Sequence, residues 1–364
     1  MSRPVLYVAI TNHGFGHATR TASLVAEIQR LNPDILIVMV TTAPRWLLES
    51  YIPGHFIHRP RGLDVGVVQG DSFQMDLPTT LEKLQQIQSQ QEAIVAAEVS
   101  FIEQNQVGLI LADIPPLAAL IAKEARIPCW MVSNFGWDFI YQAFGPEFAE
   151  VTAWIQNCFS QCDRLWRLPF HEAMPAFPNI TDVGLTGGTP NADLEEVRQK
   201  LGLNAPPDRT VLLTFGGLGL ERIPYENVQK FPDWQFLTFD RHVPELPNLL
   251  QVSGQAYRPV DLMPLCGQVV CKPGFSTFAE AVRVGVPIVT LTRTDFAESK
   301  LLLEGIQDYA HHRILNNPDF FHGDWSFLRE FPLPPRRTDG VKTDGNEVIA
   351  RAIVDYFQSK DKEF

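Results

Sequence analysis

From Val5 to Ile10 the chain reads Val-Leu-Tyr-Val-Ala-Ile, an apolar run of strand length that ends in a glycine-bearing turn. Runs without polar alternation are the mark of strands buried on both faces. A helical pattern follows, Thr21-Ala-Ser-Leu-Val-Ala-Glu-Ile, and after Asn32-Pro33 residues 35–40 form a second apolar run. The Thr79-x-x-Glu82 spacing predicts a capping box that opens one long helix, with Leu84, Ile87, Ile94, Val95 and Ile102 as its apolar stripe. A strand at 109–112, a helix at 117–124 and a strand at 129–132 complete this half. Strands alternating with helices at such spacing predict a parallel, doubly wound sheet.

The pattern then restarts. Residues 169–190 are rich in Pro, Gly and Asn and read as an interdomain linker. Beyond them lie strands at 211–215, 234–239 and Gln268–Cys271, a helix at 276–284 closed by Gly285, a strand at 286–291 and an amphipathic helix at 346–357. No repeat of 20–50 residues is visible. The expected fold is α/β, with two Rossmann-like doubly wound domains in series. Residues 1–170 form the first, 171–190 the linker and 191–340 the second, while a C-terminal helix in 341–364 packs back toward the first domain. A length of 364 residues agrees with two cores.

Composition narrows the function classes. With 45% hydrophobic and 20% charged residues the chain can fill two cores. A net charge of −12 argues against nucleic-acid binding, which depends on neutralising phosphates, and less strongly against docking on an anionic membrane. Five cysteines without a CxxC pair fit reduced thiols. No stretch approaches the roughly 18 apolar residues of a membrane span, and the strand-like start does not read as a signal peptide. The expectation is a soluble, cytoplasmic protein, with peripheral membrane contact left open.

The first chemical candidate is His13-Gly14-Phe15-Gly16-His17-Ala18-Thr19-Arg20, directly after the first strand. Gly14 and Gly16 let backbone approach a ligand, and the helix start offers free N–H groups. Thr19 stands where a dinucleotide fingerprint needs its third glycine, and the second strand ends in Thr41-Thr42 rather than an acid. Both departures argue against NAD binding, and no Walker A loop is present. A histidine at a helix start is favoured as neutral imidazole, the form a general base requires. The alternative, that His13 and His17 bond only to neighbouring backbone, stays open. Asp113 ends the strand at 109–112, on the sheet edge where His17 is expected, and can orient it; its alternative is to cap the turn before Pro115-Pro116. Asn134, Trp137 and Asp138 follow the next strand as candidates for acceptor contact, with core packing as their alternative.

In the second half, Gly216-Gly217-Leu218-Gly219 and the start of the helix at Gly274-Phe275-Ser276-Thr277 can bind a diphosphate through amides and hydroxyls. Glu280, one turn further, can accept from ribose hydroxyls; a capping box with Ser276 or Thr277 is its alternative. Asp295 and Glu298 place two carboxylates after another strand, where they can grip sugar hydroxyls. No DxD and no cluster with metal-ligand spacing occurs, so no metal or other cofactor is expected, and helix dipoles and hydroxyls would stabilise a departing diphosphate.

These residues resemble GT-B-fold glycosyltransferases, in pattern the lipid-linked peptidoglycan N-acetylglucosaminyltransferases and the plant monogalactosyldiacylglycerol synthases. Gly14-Phe15-Gly16-His17 matches their loop ending in histidine, and Lys272-Pro273-Gly274 through Glu280 matches their donor motif. The chain is also similar, over nearly its whole length, to the GT-B-like N-terminal region of plant L-arabinokinases. That likeness rests on His13 to Arg20, on Ser133-Asn134-Phe135-Gly136-Trp137-Asp138-Phe139-Ile140-Tyr141 and on Arg167-Leu168-Pro169. The resemblance implies inverting, metal-independent transfer from a nucleotide sugar, a UDP-sugar by preference. It makes His17 the base, Asp113 its orienting partner, Glu280 the ribose contact, and Asp295 and Glu298 the grip on the donor sugar. It does not carry kinase activity over. Phe15 and Phe275 depart from the small residues common at these loops, and Glu298 stands where glutamine is frequent. The acceptor pocket is expected in residues 60–78, with Phe73 and Met75 as apolar contacts, and after Trp137; lipid, peptide and small-metabolite acceptors all stay open. A non-catalytic nucleotide-sugar or sugar-phosphate binding module, or a nucleotide-sugar epimerase or hydrolase, is the alternative.

Overall fold

In the computed structural model, residues 3–70, 74–217, 219–220 and 222–361 are described; Phe73 and Leu218, named above, lie outside them. The chain divides into two compact units. Met1–Gln69, Met75–Gly187 and Lys342–Phe364 make the first, and Gly70–Gln74 with Gly188–Val341 the second.

The apolar run at Val5–Ile10 becomes β1, buried at every residue. It sits centrally because only a strand covered on both faces can be apolar throughout. Around it the first unit builds β2 (Leu36–Val40), β3 (Ile57–Arg59), β4 (Leu109–Asp113), β5 (Cys129–Ser133), β6 (Arg164–Arg167) and β7 (Ile180–Asp182), in the spatial order β3-β2-β1-β4-β5-β6-β7. All neighbours are parallel, and Ile10 pairs with Asp113 in the β1–β4 register, so the loops after these two strands leave the sheet side by side. β7 falls within the stretch read as linker and pairs with β6.

The long helix expected after Thr79 is two helices, Leu77–Ser89 and Gln91–Gln104, which meet at Gln90. The first begins at Asp76, whose carboxylate accepts from the Thr79 amide at 3.0 Å, so the Thr79–Glu82 capping box is not used. Pro78 in the first turn explains the earlier start, since its missing N–H lies where no intrahelical partner exists. Leu84 and Ile102 are buried, while Ile87, Ile94 and Val95 are half-buried. The helix Gly345–Asp361 belongs to this unit, and its Tyr356 hydroxyl donates to the Gly108 carbonyl at 2.9 Å.

In the second unit β8 (Thr210–Thr214), β9 (Gln235–Thr238), β10 (Leu249–Gln251), β11 (Gln268–Cys271), β12 (Ile288–Leu291) and β13 (His312–Leu315) make a parallel sheet in the order β10-β9-β8-β11-β12-β13. Val211, Leu213, Phe236, Val270, Val289 and Trp325 belong to its core. The helix Phe275–Val284 follows β11, and the helix Glu298–Tyr309 follows β12. Among the described residues no helix is long and apolar enough to cross a membrane.

Candidate functional site

In the first unit the candidates converge where β1, β4 and β5 end. His17 is the second residue of the helix Gly16–Leu31, which follows the turn after β1. Its Nδ1 lies 2.8 Å from Asp113 Oδ1 at the end of β4. Donation from Nδ1–H to that oxygen selects the tautomer in which Nε2 is the basic atom.

Asp113 is fully buried and answered on both oxygens. Arg20 donates from Nη2 to Oδ1 at 2.6 Å and from Nε to Oδ2 at 2.7 Å, and the Thr21 hydroxyl donates to Oδ2 at 2.7 Å. Burial would raise the carboxyl, but the Arg20 and His17 charges and bonds override it, holding Asp113 well below the usual carboxylate range. Arg20 reaches further, from Nη1 to Asn134 Oδ1 at 2.8 Å and from Nη2 to the Ser133 hydroxyl at 3.1 Å. Sequence reading left Arg20 and Thr21 without a role. The available signal was helical spacing: three and four residues beyond His17, both lie on the face His17 occupies.

A second buried carboxylate adjoins this group. Asp64 accepts from the Thr11 hydroxyl and, through Oδ1, from the Asn12 amide at 2.9 Å; burial raises its carboxyl, with those bonds and the His17 charge opposing. It ties the loop around residue 64 to the loop after β1. His13 Nδ1 accepts from the Val67 amide at 3.2 Å in the same junction, and the Tyr141 hydroxyl donates to the Gly66 carbonyl at 2.6 Å. No sequence spacing points from Asp64 to Thr11.

Asn134, Trp137 and Asp138 lie at this edge but are buried. Trp137 is 1% exposed, donates from its indole to the Thr11 hydroxyl at 3.1 Å and stacks on Tyr141 at 5.5 Å, so it packs beneath the loop rather than presenting a face. Burial raises the Asp138 carboxyl. Met75 is half-buried. Gly14 and Gly16 are exposed.

In the second unit, Gly216 and Gly217 are exposed after β8, and the Gly219 amide donates to the Gly216 carbonyl at 3.1 Å. Lys272, after β11, approaches them: a Cβ on Gly216 would lie 3.2 Å from its Cε. The helix Phe275–Val284 starts at Gly274 without a side-chain cap, so the capping alternative for Glu280 is not what the structure holds. Glu280 is buried, and its Oε1 accepts from the Gly188 amide at 2.9 Å. Ser276 is buried and Thr277 half-buried at the helix start. Asp295 is exposed in the loop after β12, while Glu298 is buried at the first position of the next helix, so these carboxylates occupy different environments. Among the described residues no group of three His, Cys, Asp or Glu could hold a metal ion.

No protein-family model matches the chain. It is 30% identical over 360 residues to L-arabinokinase of Arabidopsis thaliana, covering 94% of this chain and 33% of that one. The chain thus spans about a third of the length of the curated relative it matches. Among solved structures, UGT2 of Phytolacca americana with UDP-2fluoro-glucose and pterostilbene has a TM-score of 0.62 at 13% identity, covering 90% of this chain and 89% of that one. UGT89C1 of Arabidopsis thaliana with UDP gives 0.61 at 14%, over 96% and 99%. UGT71G1 of Medicago truncatula with UDP-glucose gives 0.59 at 14%, over 96% and 93%. With parallel sheets of seven and six strands and these UDP-glycosyltransferases as neighbours, the chain has the GT-B fold.

Proposed function

We propose that the chain is an inverting glycosyltransferase that moves a sugar from a nucleotide-sugar donor, a UDP-sugar by preference, to an acceptor hydroxyl without a metal ion. The observation that carries the reading is the buried His17–Asp113 pair, with Nδ1 2.8 Å from the carboxylate, which favours the tautomer that leaves Nε2 basic. His17 Nε2 removes the acceptor proton as its oxygen attacks the anomeric carbon, and the bond to the diphosphate breaks on the opposite side. Asp113 holds the imidazolium that results. On the donor side, the amides of the loop at Gly216 and Gly217 and the helix start at Gly274, Ser276 and Thr277 are assigned to the diphosphate, and Glu280, Asp295 and Glu298 to ribose and sugar hydroxyls. The structural neighbours solved with UDP or UDP-sugars support a nucleotide-sugar ligand.

The test is His17→Ala. Transfer from UDP-glucose across an acceptor panel falls by about 10²–10⁴-fold, the span of general-base catalysis, while UDP still raises the melting temperature. Unchanged turnover removes His17 from the mechanism. UDP stabilisation without donor consumption in the unaltered chain would favour a binding module, and release of free glucose a hydrolase.

A further inference from the structure

We propose that Arg20 is a positioning residue for His17: its guanidinium fixes the Asp113 carboxylate that orients the imidazole and offsets that carboxylate's charge beside the ring. The inference rests on the reading of His17 as the base.

The geometry is that of a fork. Nε and Nη2 engage the two oxygens of Asp113 at 2.7 and 2.6 Å, an arrangement that sets the carboxylate's rotation as well as its distance. Nη1 and Nη2 also hold Asn134 and Ser133 at the end of β5. One side chain, 3% exposed, thereby locks the helix that carries His17 to the ends of β4 and β5. Nη2 lies 3.0 Å from His17 Nδ1, the nitrogen that also faces Asp113. Since Nδ1–H donates to Asp113, Nη2 acts there as a neighbouring positive charge rather than a donor. A lone buried carboxylate is free to rotate, whereas one gripped on both oxygens by Arg20 keeps the direction in which it meets the ring. His13 lies 6.5 Å from the ring between centroids, and Asp64 feels the His17 charge. Lysine cannot reproduce the fork, because an ammonium is a point charge.

The experiment follows the His17 imidazole nitrogens by NMR in the full chain, assigned with His17→Gln, in Arg20→Gln and Arg20→Lys. In Arg20→Gln the ring is expected to take up its proton at roughly tenfold lower proton concentration than in the unaltered chain, because the Asp113 charge is no longer offset. In Arg20→Lys that titration stays close to the unaltered one while the Nδ1–H tautomer loses its dominance. A folded Arg20→Gln with unaltered titration overturns the proposal. Should Arg20→Gln fail to fold, Arg20→Lys decides: unaltered tautomer and titration reduce Arg20 to a structural ion pair. No donor or acceptor is present in this measurement, so its failure is distinct from failure of the transferase reading, which the UDP-glucose assay of His17→Ala judges separately.

Discussion

The residues assigned to the base in the first unit and to the diphosphate in the second are held in opposite ways. In the first unit they are side chains locked before any ligand arrives: Asp113 is fully buried with both oxygens engaged, and Asp64, Thr11 and Trp137 brace the adjoining loop. In the second the groups assigned to the diphosphate are largely backbone, with Gly216 and Gly217 exposed and Gly274 starting a helix without a side-chain cap, while Glu280 and Glu298 are buried beside them in the chain. The difference follows the chemistry proposed for each. A base works only when its tautomer and direction are set, which takes a shell of fixed partners. A diphosphate can be held by amides, which need room and the absence of a Cβ more than a bonded framework.

The contrast breaks most sharply at two aspartates. Asp113→Ala leaves the Arg20 guanidinium buried without its counter-charge and is expected to cost about 3–5 kcal/mol in urea unfolding. Asp295→Ala, at an exposed position, is expected to change stability by less than about 0.5 kcal/mol. Equal costs at the two sites would mean that the first unit's shell is not what holds its fold. A smaller effect is expected at Gly66, whose φ is +64° and where a Cβ would lie 2.7 Å from His13 Cβ. Gly66→Ala is expected to lose about 1–3 kcal/mol through strain and displacement of His13. A melting temperature unmoved by this substitution would show that the loop around residue 64 gives way easily.

The pH dependence has two signs within the first unit. Asp113 is depressed in the folded chain, so its contribution is complete above the ordinary carboxyl value near 4 and is lost only as pH falls through its lower folded value. Asp64 is raised by burial, so as pH climbs from about 4 through its folded value the unfolded chain releases that proton first and stability declines. Asp64→Asn removes the second component while keeping an oxygen to accept from the Asn12 amide. Its stability at pH 7 is expected to match the unaltered chain or exceed it by under about 1 kcal/mol, and the slope of stability against pH between 4 and 7 becomes flatter. An unaltered slope would assign that dependence to Asp138 and Glu172, which burial also raises.

What the chain's pattern reveals depends on burial. β1, β2, β4, β5, β8 and β11 are apolar runs covered on both faces, so they stand out from hydrophobicity alone. β3, β7 and β10 are three-residue strands at or near sheet edges, with exposed or half-buried positions, and carry no such run. β6 begins and ends in arginine and reads as surface. At the site, His17 and Asp113 were legible because each sits where a strand hands over to a loop on the same sheet edge. Arg20 was not, since an arginine in a helix reads as a solvated charge until its partner is known. Asp64 was not, because its link to Thr11 is made by tertiary folding across 53 positions.

In the second unit fold and ligand separate at Gly274. Gly274 has φ −169° and ψ 127°, extended backbone open to any residue, and among the described residues a Cβ there meets nothing within 4 Å. Alanine at this position is therefore expected to move stability by less than about 0.5 kcal/mol. If the helix start holds the diphosphate, the methyl group enters the space its oxygens need, and UDP affinity falls by about tenfold or more, read from the loss of thermal stabilisation at fixed UDP. The expected signature is thus an unaltered melting curve without ligand and a diminished response to UDP. Gly66→Ala gives the reverse order, since there the methyl group meets protein rather than open space. An undiminished UDP response in Gly274→Ala would move the diphosphate away from this helix, leaving the loop at Gly216 and Gly217 to hold it.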